Sequence, residues 1–158
     1  MSLTCYVGPQ GNILNEANAD HCHRLRLSSP ILSMSDISAL KSMSSAFPGW
    51  EVAEIDITFS KYKGEAGYVN QLDNIFIQVN DAILSGAKIA ILSDRLVDNE
   101  RVPLSALVAC AGVHHYLVKN KMRSKIALVV ETGEARDVHH FCCLLGYGAD
   151  AICMFCLM

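Results

Sequence analysis

The feature that most constrains the fold is a regular alternation of short apolar segments with longer segments of helical periodicity. Four short segments have the β-branched, apolar character of strands: 52–59, 88–93, 125–130 and 149–153. Helical spacing of apolar residues predicts helices over four others: 34–43, 65–85, 103–120 and 134–145. Strands that alternate with helices become parallel strands joined by crossover helices. The sequence therefore predicts an α/β fold with a parallel sheet of about four strands alternating with helices, either open or part of a barrel.

The chain of 158 residues has the length of one ordinary domain. Residues 1–32 have weak periodicity and are expected to form an irregular N-terminal segment, although residues 24–27 alternate as a short strand does. Residues 33–158 carry the alternating pattern and are expected to form the α/β core. We expect the two parts to make a single domain.

Local signals mark several of the helix ends. Ser33 with Asp36 resembles a capping box at the start of the first helix, and Gly86 stands where a helix often ends. Pro103 suits the first turn of the third helix. Glu134 suits the first turn of the fourth, and Gly133 before it is expected to adopt a backbone angle that a side chain would forbid.

Composition excludes several classes of protein. Half of the residues are hydrophobic (51%), 18% are charged, and the net charge is −3 with both signs spread along the chain, which makes nucleic acid an unsuitable partner. The sequence contains no apolar run long enough for a membrane span, so no membrane partner is expected. It shows no signal-peptide pattern, and we expect an intracellular location, cytoplasmic or organellar.

Charged residues follow two of the predicted strands, at the edge where parallel α/β folds place their functional sites. The nine candidates for this edge are Asp94, Arg95, Glu131, Thr132, Gly133, Glu134, Arg136, His139 and His140. The favoured interpretation is a network of ion pairs and caps that holds the loops. The alternative is a surface that lines a substrate site or a channel. A phosphate site is discounted, since one glycine among three acidic residues would not attract an anion.

Two pairs of adjacent histidines, His114-His115 and His139-His140, fall in predicted helices. Adjacent residues on a helix point about 100° apart, so neither pair forms a metal site by itself. We interpret them as packed, hydrogen-bonded core histidines. No catalytic nucleophile with a base partner is recognisable, and no catalytic or cofactor-binding residue is assigned.

The seven cysteines are expected to be free thiols in a reducing compartment. Cys153 and Cys156 form a CxxC sequence, and His21-Cys22-His23 would complete a zinc site only if the fold brought the two segments together. A small metal or redox protein is therefore a distant hypothesis, and no metal ligand is assigned.

The order of several motifs resembles one family. GPQGNIL, RLRLSSPILS, ILSDR, VPLSALVACAGVHHYLV, VVETGEARDVHHF and GYGADA follow one another through residues 8–151. In this order they are similar to the later part of the central domain of glutamate synthase, and the likeness runs from about residue 1 to residue 152. Beyond it the family usually has a Pro-Tyr-Leu-Ala segment, which is absent here.

The resemblance implies a role inside a larger enzyme, which turns glutamine and 2-oxoglutarate into glutamate. That enzyme has an amidotransferase domain, which releases ammonia, and a domain with FMN and an iron–sulfur cluster. The central domain links the two and helps to wall the ammonia passage. This chain is then expected to have those domains as partners, to carry no cofactor and to be inactive alone, with the nine candidates at an interface or channel rim. The alternative is a stand-alone interaction module, and exposed apolar surface predicts possible self-association.

Overall fold

The computed structural model describes residues 3–12, 14 and 19–155. The strands in this part of the chain are β1 Cys5–Val7, β2 Leu25–Leu27, β3 Ile31–Leu32, β4 Val52–Asp56, β5 Thr58–Ser60, β6 Ile89–Ser93, β7 Arg101–Pro103, β8 Ala127–Thr132 and β9 Ala151–Met154. The α-helices are α1 Met34–Ala46, α2 Gly64–Leu84, α3 Ala106–Lys119 and α4 Val138–Gly146.

Five of the strands form one parallel sheet in the order β3-β9-β8-β6-β4. The predicted α/β fold is confirmed, with one strand more than the four predicted, because the two-residue β3 also joins the sheet. Within the described residues β3 and β4 do not pair with each other, so the sheet is open and not a barrel. Its central strands β6 and β8 are buried along their whole length, as expected for a sheet with both faces covered.

Helices cover the two faces unequally. On one face α2, α3 and α4 pack over the larger apolar core, which includes Ile75, Val113 and Leu144. On the other face α1 packs over a smaller core together with β1 and β2, which pair antiparallel. This division follows from right-handed crossovers: the chain moves from β4 to β9 with its helices on one face, and α1 returns it from β3 to β4 across the other.

The predicted start of α1 and the predicted end of α2 are confirmed, whereas α1 continues to Ala46, three residues beyond its predicted end. The hydroxyl of Ser33 accepts a hydrogen bond from the Asp36 amide, and the Asp36 carboxylate accepts one from the Ser33 amide, which completes the capping box. Gly86, just after α2, has φ of +92°, the region that favours glycine.

Three predicted boundaries were wrong. Residues 52–59 form two strands in two different sheets, since β5 leaves the main sheet and pairs antiparallel with β7. Pro103 ends β7 and does not start a helix; α3 begins three residues later. The last helix begins at Val138, because the side chain of Asp137 caps it by accepting a hydrogen bond from the His140 amide.

Candidate functional site

The candidate site is the edge of the sheet where β6 and β8 end, which we call the carboxyl rim and define as residues 93–95 and 131–136. Ser93 and Glu131 are paired in the sheet register, so the two segments leave the sheet side by side. The amide of Asp94 extends the pairing by donating to the Glu131 carbonyl at 3.2 Å. The rim therefore forms because the two most buried strands of the fold stop at the same level.

Glu131 is the centre of the rim. Its side chain is 1% exposed and accepts hydrogen bonds from Lys41 Nζ at 2.9 Å, Arg95 Nε at 2.7 Å and Ser93 Oγ at 2.8 Å. Lys41 also contacts Glu54 at 2.7 Å. A buried carboxylate is tolerated when it is paired and its oxygens are hydrogen-bonded, and both conditions hold here.

The pKa of Glu131 reflects this balance. Burial by itself would raise it, but the hydrogen bonds from Lys41, Ser93 and Arg95 outweigh burial and hold the pKa below its ordinary value. For Lys41, burial opposes the charged form, yet its hydrogen bonds to Glu54 and Glu131 leave its pKa raised. Both side chains are consequently charged at neutral pH, and the network is an ion-pair network.

Asp94 is buried beside this network and serves a second one. Its carboxylate accepts a hydrogen bond from Thr132 Oγ1 at 2.6 Å and from the Gly133 amide at 3.1 Å. Burial raises the pKa of Asp94 above its ordinary value, against the lowering effect of these two hydrogen bonds. Asp94 therefore fixes the turn that follows β8. The pKa of Asp94 is raised and the pKa of Glu131 is lowered, so the two buried carboxylates are shifted in opposite directions.

Glu134 and Gly133 do not have the predicted local roles. Glu134 precedes α4 by four residues, and its carboxylate caps another helix by accepting a hydrogen bond from the Ala106 amide at the start of α3, at 2.8 Å. Gly133 does not have a positive φ. Its amide donates to Asp94, so the requirement at this position is a backbone donor.

The remaining rim candidates lie on the surface. Arg136, His139 and His140 are exposed, and the Arg136 amide donates to Nδ1 of His140 at 3.1 Å. The prediction that the histidines are packed in the core was thus wrong for His139 and His140, because α4 presents this side to solvent, and wrong for His115, which is exposed on α3. It is closer for His114, which is half-buried and accepts a hydrogen bond from Arg123 Nε at 3.1 Å.

The rim borders a cavity of about 370 Å³ between α3 and α4, lined in part by Glu134, His139, His140 and Cys143. Its walls also include Ala106 and Leu144, so both polar and apolar side chains line it. Some of the candidates predicted for this edge do contact one another. Glu131 bonds to Arg95, and Asp94 bonds to Thr132 and Gly133. The structure places the two histidines at the cavity, away from the buried carboxylates.

The fold keeps apart the two segments that a zinc site would have required, His21-Cys22-His23 and the CxxC sequence. His21 and His23 lie near Lys88 and Lys125, at the opposite edge of the sheet, where β6 and β8 begin. Cys153 is buried near the ends of β3 and β9, with Sγ 3.6 Å from the Ser33 carbonyl, and Cys156 lies outside the described residues. In the described part of the chain, no three His, Cys, Asp or Glu side chains converge as ligands of one metal ion.

Sequence reasoning missed Lys41 as a partner of the rim. It lies 90 residues before Glu131, and only the return of α1 across the sheet brings the two together. The helical period offered one signal, since Lys41 comes one turn after the buried Ile37 and so faces the sheet. Phe155 was missed as well; its ring lies under the Arg95 guanidinium, 4.3 Å from the centroid.

Together these features define a class: an open parallel α/β domain whose charged edge residues are bonded mainly to one another. Among the described residues no helix is both long and apolar enough to cross a membrane. The chain belongs to the glutamate synthase central domain family, whose sequence model matches residues 1–158.

Curated relatives agree with this family. The chain is 52% identical over 158 residues to glutamate synthase [NADH] of Schizosaccharomyces pombe, which is all of this chain and 7% of that protein. It is 52% identical over 152 residues to glutamate synthase [NADH] of Saccharomyces cerevisiae, again 7% of that protein. The large chain of glutamate synthase [NADPH] of Bacillus subtilis is 36% identical over 151 residues, 9% of its length. The chain thus spans under a tenth of these relatives.

Proposed function

We propose that this chain acts as part of the central domain of a glutamate synthase, where it links the amidotransferase and FMN domains and helps to wall the ammonia passage. In that enzyme glutamine and 2-oxoglutarate would yield glutamate. The segment itself would make and break no bonds and would be inactive alone.

One observation carries the proposal. The rim occupies the sheet edge where α/β enzymes keep their reactive groups, and its two buried carboxylates already have partners within the protein. Glu131 binds two cations and a hydroxyl, and Asp94 binds a hydroxyl and an amide. Groups held in this way are suited to fixing the loops that a neighbouring domain would contact.

The cofactors are proposed to belong to other parts of the enzyme. An iron–sulfur cluster needs about four converging cysteine thiolates. The described cysteines are dispersed: Cys110 is a buried residue of α3, Cys153 lies near the end of β9, and Cys22 is exposed at the opposite sheet edge. These residues do not fit the cluster.

We further propose that the parent enzyme takes its electrons from NADH inside the cell, in the cytoplasm or an organelle. The two relatives named for NADH are 52% identical to this chain, against 36% for the NADPH form of Bacillus subtilis and 35% for the ferredoxin-dependent form of Antithamnion sp.. Reduction of the complete enzyme by NADH and not by reduced ferredoxin would be the expected result.

Apolar side chains that are exposed in this chain support a surface that another domain covers in the complete enzyme. Ile77 and Leu84 on α2 are 58% and 77% exposed, and Val138 on α4 is 78% exposed. Side chains of this kind are expected under neighbouring domains or in self-association. A stand-alone interaction module would also have them, so the two functions are distinguished by whether substitutions at the rim alter glutamate formation.

The test uses a complete glutamate synthase that carries this segment. Arg136→Ala changes an exposed rim residue, and Lys119→Ala changes an exposed residue at the opposite edge as the matched control. We expect Arg136→Ala to increase the free ammonia released per glutamine hydrolysed, while glutamine hydrolysis itself and the control remain unchanged. Equal coupling in both variants, or loss of glutamine hydrolysis with Arg136→Ala alone, would contradict the proposed role.

A further inference from the structure

A second cavity lies at the sheet edge opposite the carboxyl rim, where β6 and β8 begin. It has a volume of about 490 Å³, and four basic side chains line it, those of His21, His23, Lys88 and Lys125. We call it the basic cavity. No Asp or Glu is among the described residues that line it. The cavity therefore gathers positive charge and hydrogen-bond donors in a chain whose net charge is −3.

The sheet brings the two lysines to the ends of neighbouring strands. Lys88 directly precedes β6, and its carbonyl accepts a hydrogen bond from the Ala127 amide at the start of β8, at 2.9 Å. Lys125 comes two residues before Ala127. Lys88 is half-buried and Lys125 is exposed, and neither forms an ion pair with any described residue. Two unpaired ammonium groups at one cavity repel each other, and an anion between them relieves that repulsion.

Contacts with other segments hold the wall that carries the histidines. The Gln10 amide donates to a carbonyl of the segment before β8, at 2.7 Å. The ring of His21 packs directly on Gly11, where a Cβ would come within 2.2 Å of it. The ring of His23 lies against Trp50, with centroids 4.9 Å apart. Both imidazoles are thus positioned without a ligand, and a neutral imidazole still has one N–H to donate.

The remaining wall indicates what kind of anion fits. Ile83 and Leu84, at the end of α2, contribute apolar side chains to the cavity. An inorganic ion would leave this wall uncovered, whereas an organic anion can lay its carbon skeleton there. Two lysines match two negative charges. The chemistry that fits is a carbon skeleton with a doubly negative character, as in a dicarboxylate or a phosphate monoester.

We propose that the basic cavity binds a small organic dianion. Its anionic groups contact Lys88 and Lys125, and its carbon skeleton lies against Ile83 and Leu84. The imidazole N–H groups at the opposite wall donate hydrogen bonds to the same anionic oxygens. This site goes beyond the role in glutamate synthase and does not rest on it.

The experiment measures binding to the 158-residue chain by calorimetry, with succinate, glycerol 3-phosphate and acetate as probes. We expect one site per chain, with a dissociation constant below about 1 mM for at least one of the two dianions. Acetate carries a single charge and should bind about tenfold more weakly or less. The tighter dianion shows whether the preferred anionic group is a carboxylate or a phosphate.

Substitution of one lysine locates the site. Lys88→Met removes the half-buried charge but keeps an apolar side chain of similar length, and it should weaken binding of the tighter dianion about tenfold or more. Lys119→Met is the matched control. Lys119 is an exposed lysine at the end of α3, near the same sheet edge, but it does not line the cavity. Its substitution should leave the affinity unchanged.

A measurement on the unsubstituted chain keeps the test valid if Lys88→Met folds poorly. The tighter dianion should shift the amide NMR signals of residues 86–88 and 125 and the imidazole signals of His21 and His23, and leave those of the carboxyl rim in place. The proposal would be overturned by any of four results: no saturable binding of either dianion, acetate binding as tight as theirs, equal weakening in the two lysine variants, or shifts centred on the rim.

Discussion

Replacing Glu131 by glutamine tests the structural account of the carboxyl rim. The substitution keeps the shape of the side chain but removes the charge that Lys41 and Arg95 share. Removing one partner of a buried ion pair costs about 3–5 kcal/mol. Because Lys41 and Arg95 are 24% and 40% exposed, water replaces part of the lost interaction, and we expect a loss of about 2–3 kcal/mol in the free energy of unfolding.

Glu54→Gln is the matched control. Glu54 contacts the same Lys41 but is 52% exposed, so we expect the substitution to cost less than about 1 kcal/mol. The assay is equilibrium urea unfolding, followed by circular dichroism and by the fluorescence of Trp50, the single tryptophan of the chain. Equal losses for the two variants, or a loss below about 1 kcal/mol for Glu131→Gln, would refute the central position of Glu131 in the network.

The same pair of proteins carries a pH signature. Because the folded-state pKa of Glu131 lies below its ordinary value of 4.5, its stabilising contribution is present above pH 4.5 and is lost as the pH falls through the folded pKa. The difference in stability between the unsubstituted chain and Glu131→Gln should be largest near neutral pH and should narrow below about pH 4.5. A difference that widens on acidification would contradict the assigned direction of the pKa.

Three further predictions use other parts of the fold. Burial raises the pKa of Asp94 above 3.8, so its contribution to stability falls as the pH rises from 3.8 through the folded pKa. Asp94→Asn should therefore be least destabilising near neutral pH, as measured by urea unfolding at several pH values. Burial, then the nearby Arg123, lowers the pKa of His114 below 6.5, so stability should fall as the pH drops below 6.5, and the fall should be shallower in His114→Gln. Gly148→Ala should cost about 2 kcal/mol or more in thermal unfolding, since its φ is +110° and a Cβ there would overlap His114, whereas Gly86→Ala, at φ of +92° with open space around it, should cost only about 1 kcal/mol.

The alternation of strands and helices was sufficient to predict the α/β sheet because the period of the apolar residues changes sharply between elements. It did not predict β3, since two residues carry no measurable period. It also joined β4 to β5, because both alternate, and a change of sheet between them leaves no trace in the hydrophobic pattern. Local periodicity thus predicts long elements well. It fails where pairing with a segment far along the chain determines whether a strand forms and which sheet it joins.

The same division holds for the rim. The position of Glu131 after a buried strand placed it at the correct edge, since parallel strands end on one side of a sheet. The sequence did not predict the contact of Glu131 with Lys41 or the hydrogen bond from the Ala106 amide to Glu134, because these depend on how α1 and α3 pack. The exposure of His139 has a similar origin: the helix it belongs to begins four residues later than predicted.

The most direct test of the account is the activity of the purified 158-residue chain. It is mixed with glutamine, 2-oxoglutarate, FMN and NADH, and glutamate formation and bound flavin are measured. We predict no glutamate above the level without protein and no stoichiometric FMN on the chain. Glutamate formation by this chain alone, or one FMN bound per chain, would contradict the claim that the segment supports chemistry carried out elsewhere in the enzyme.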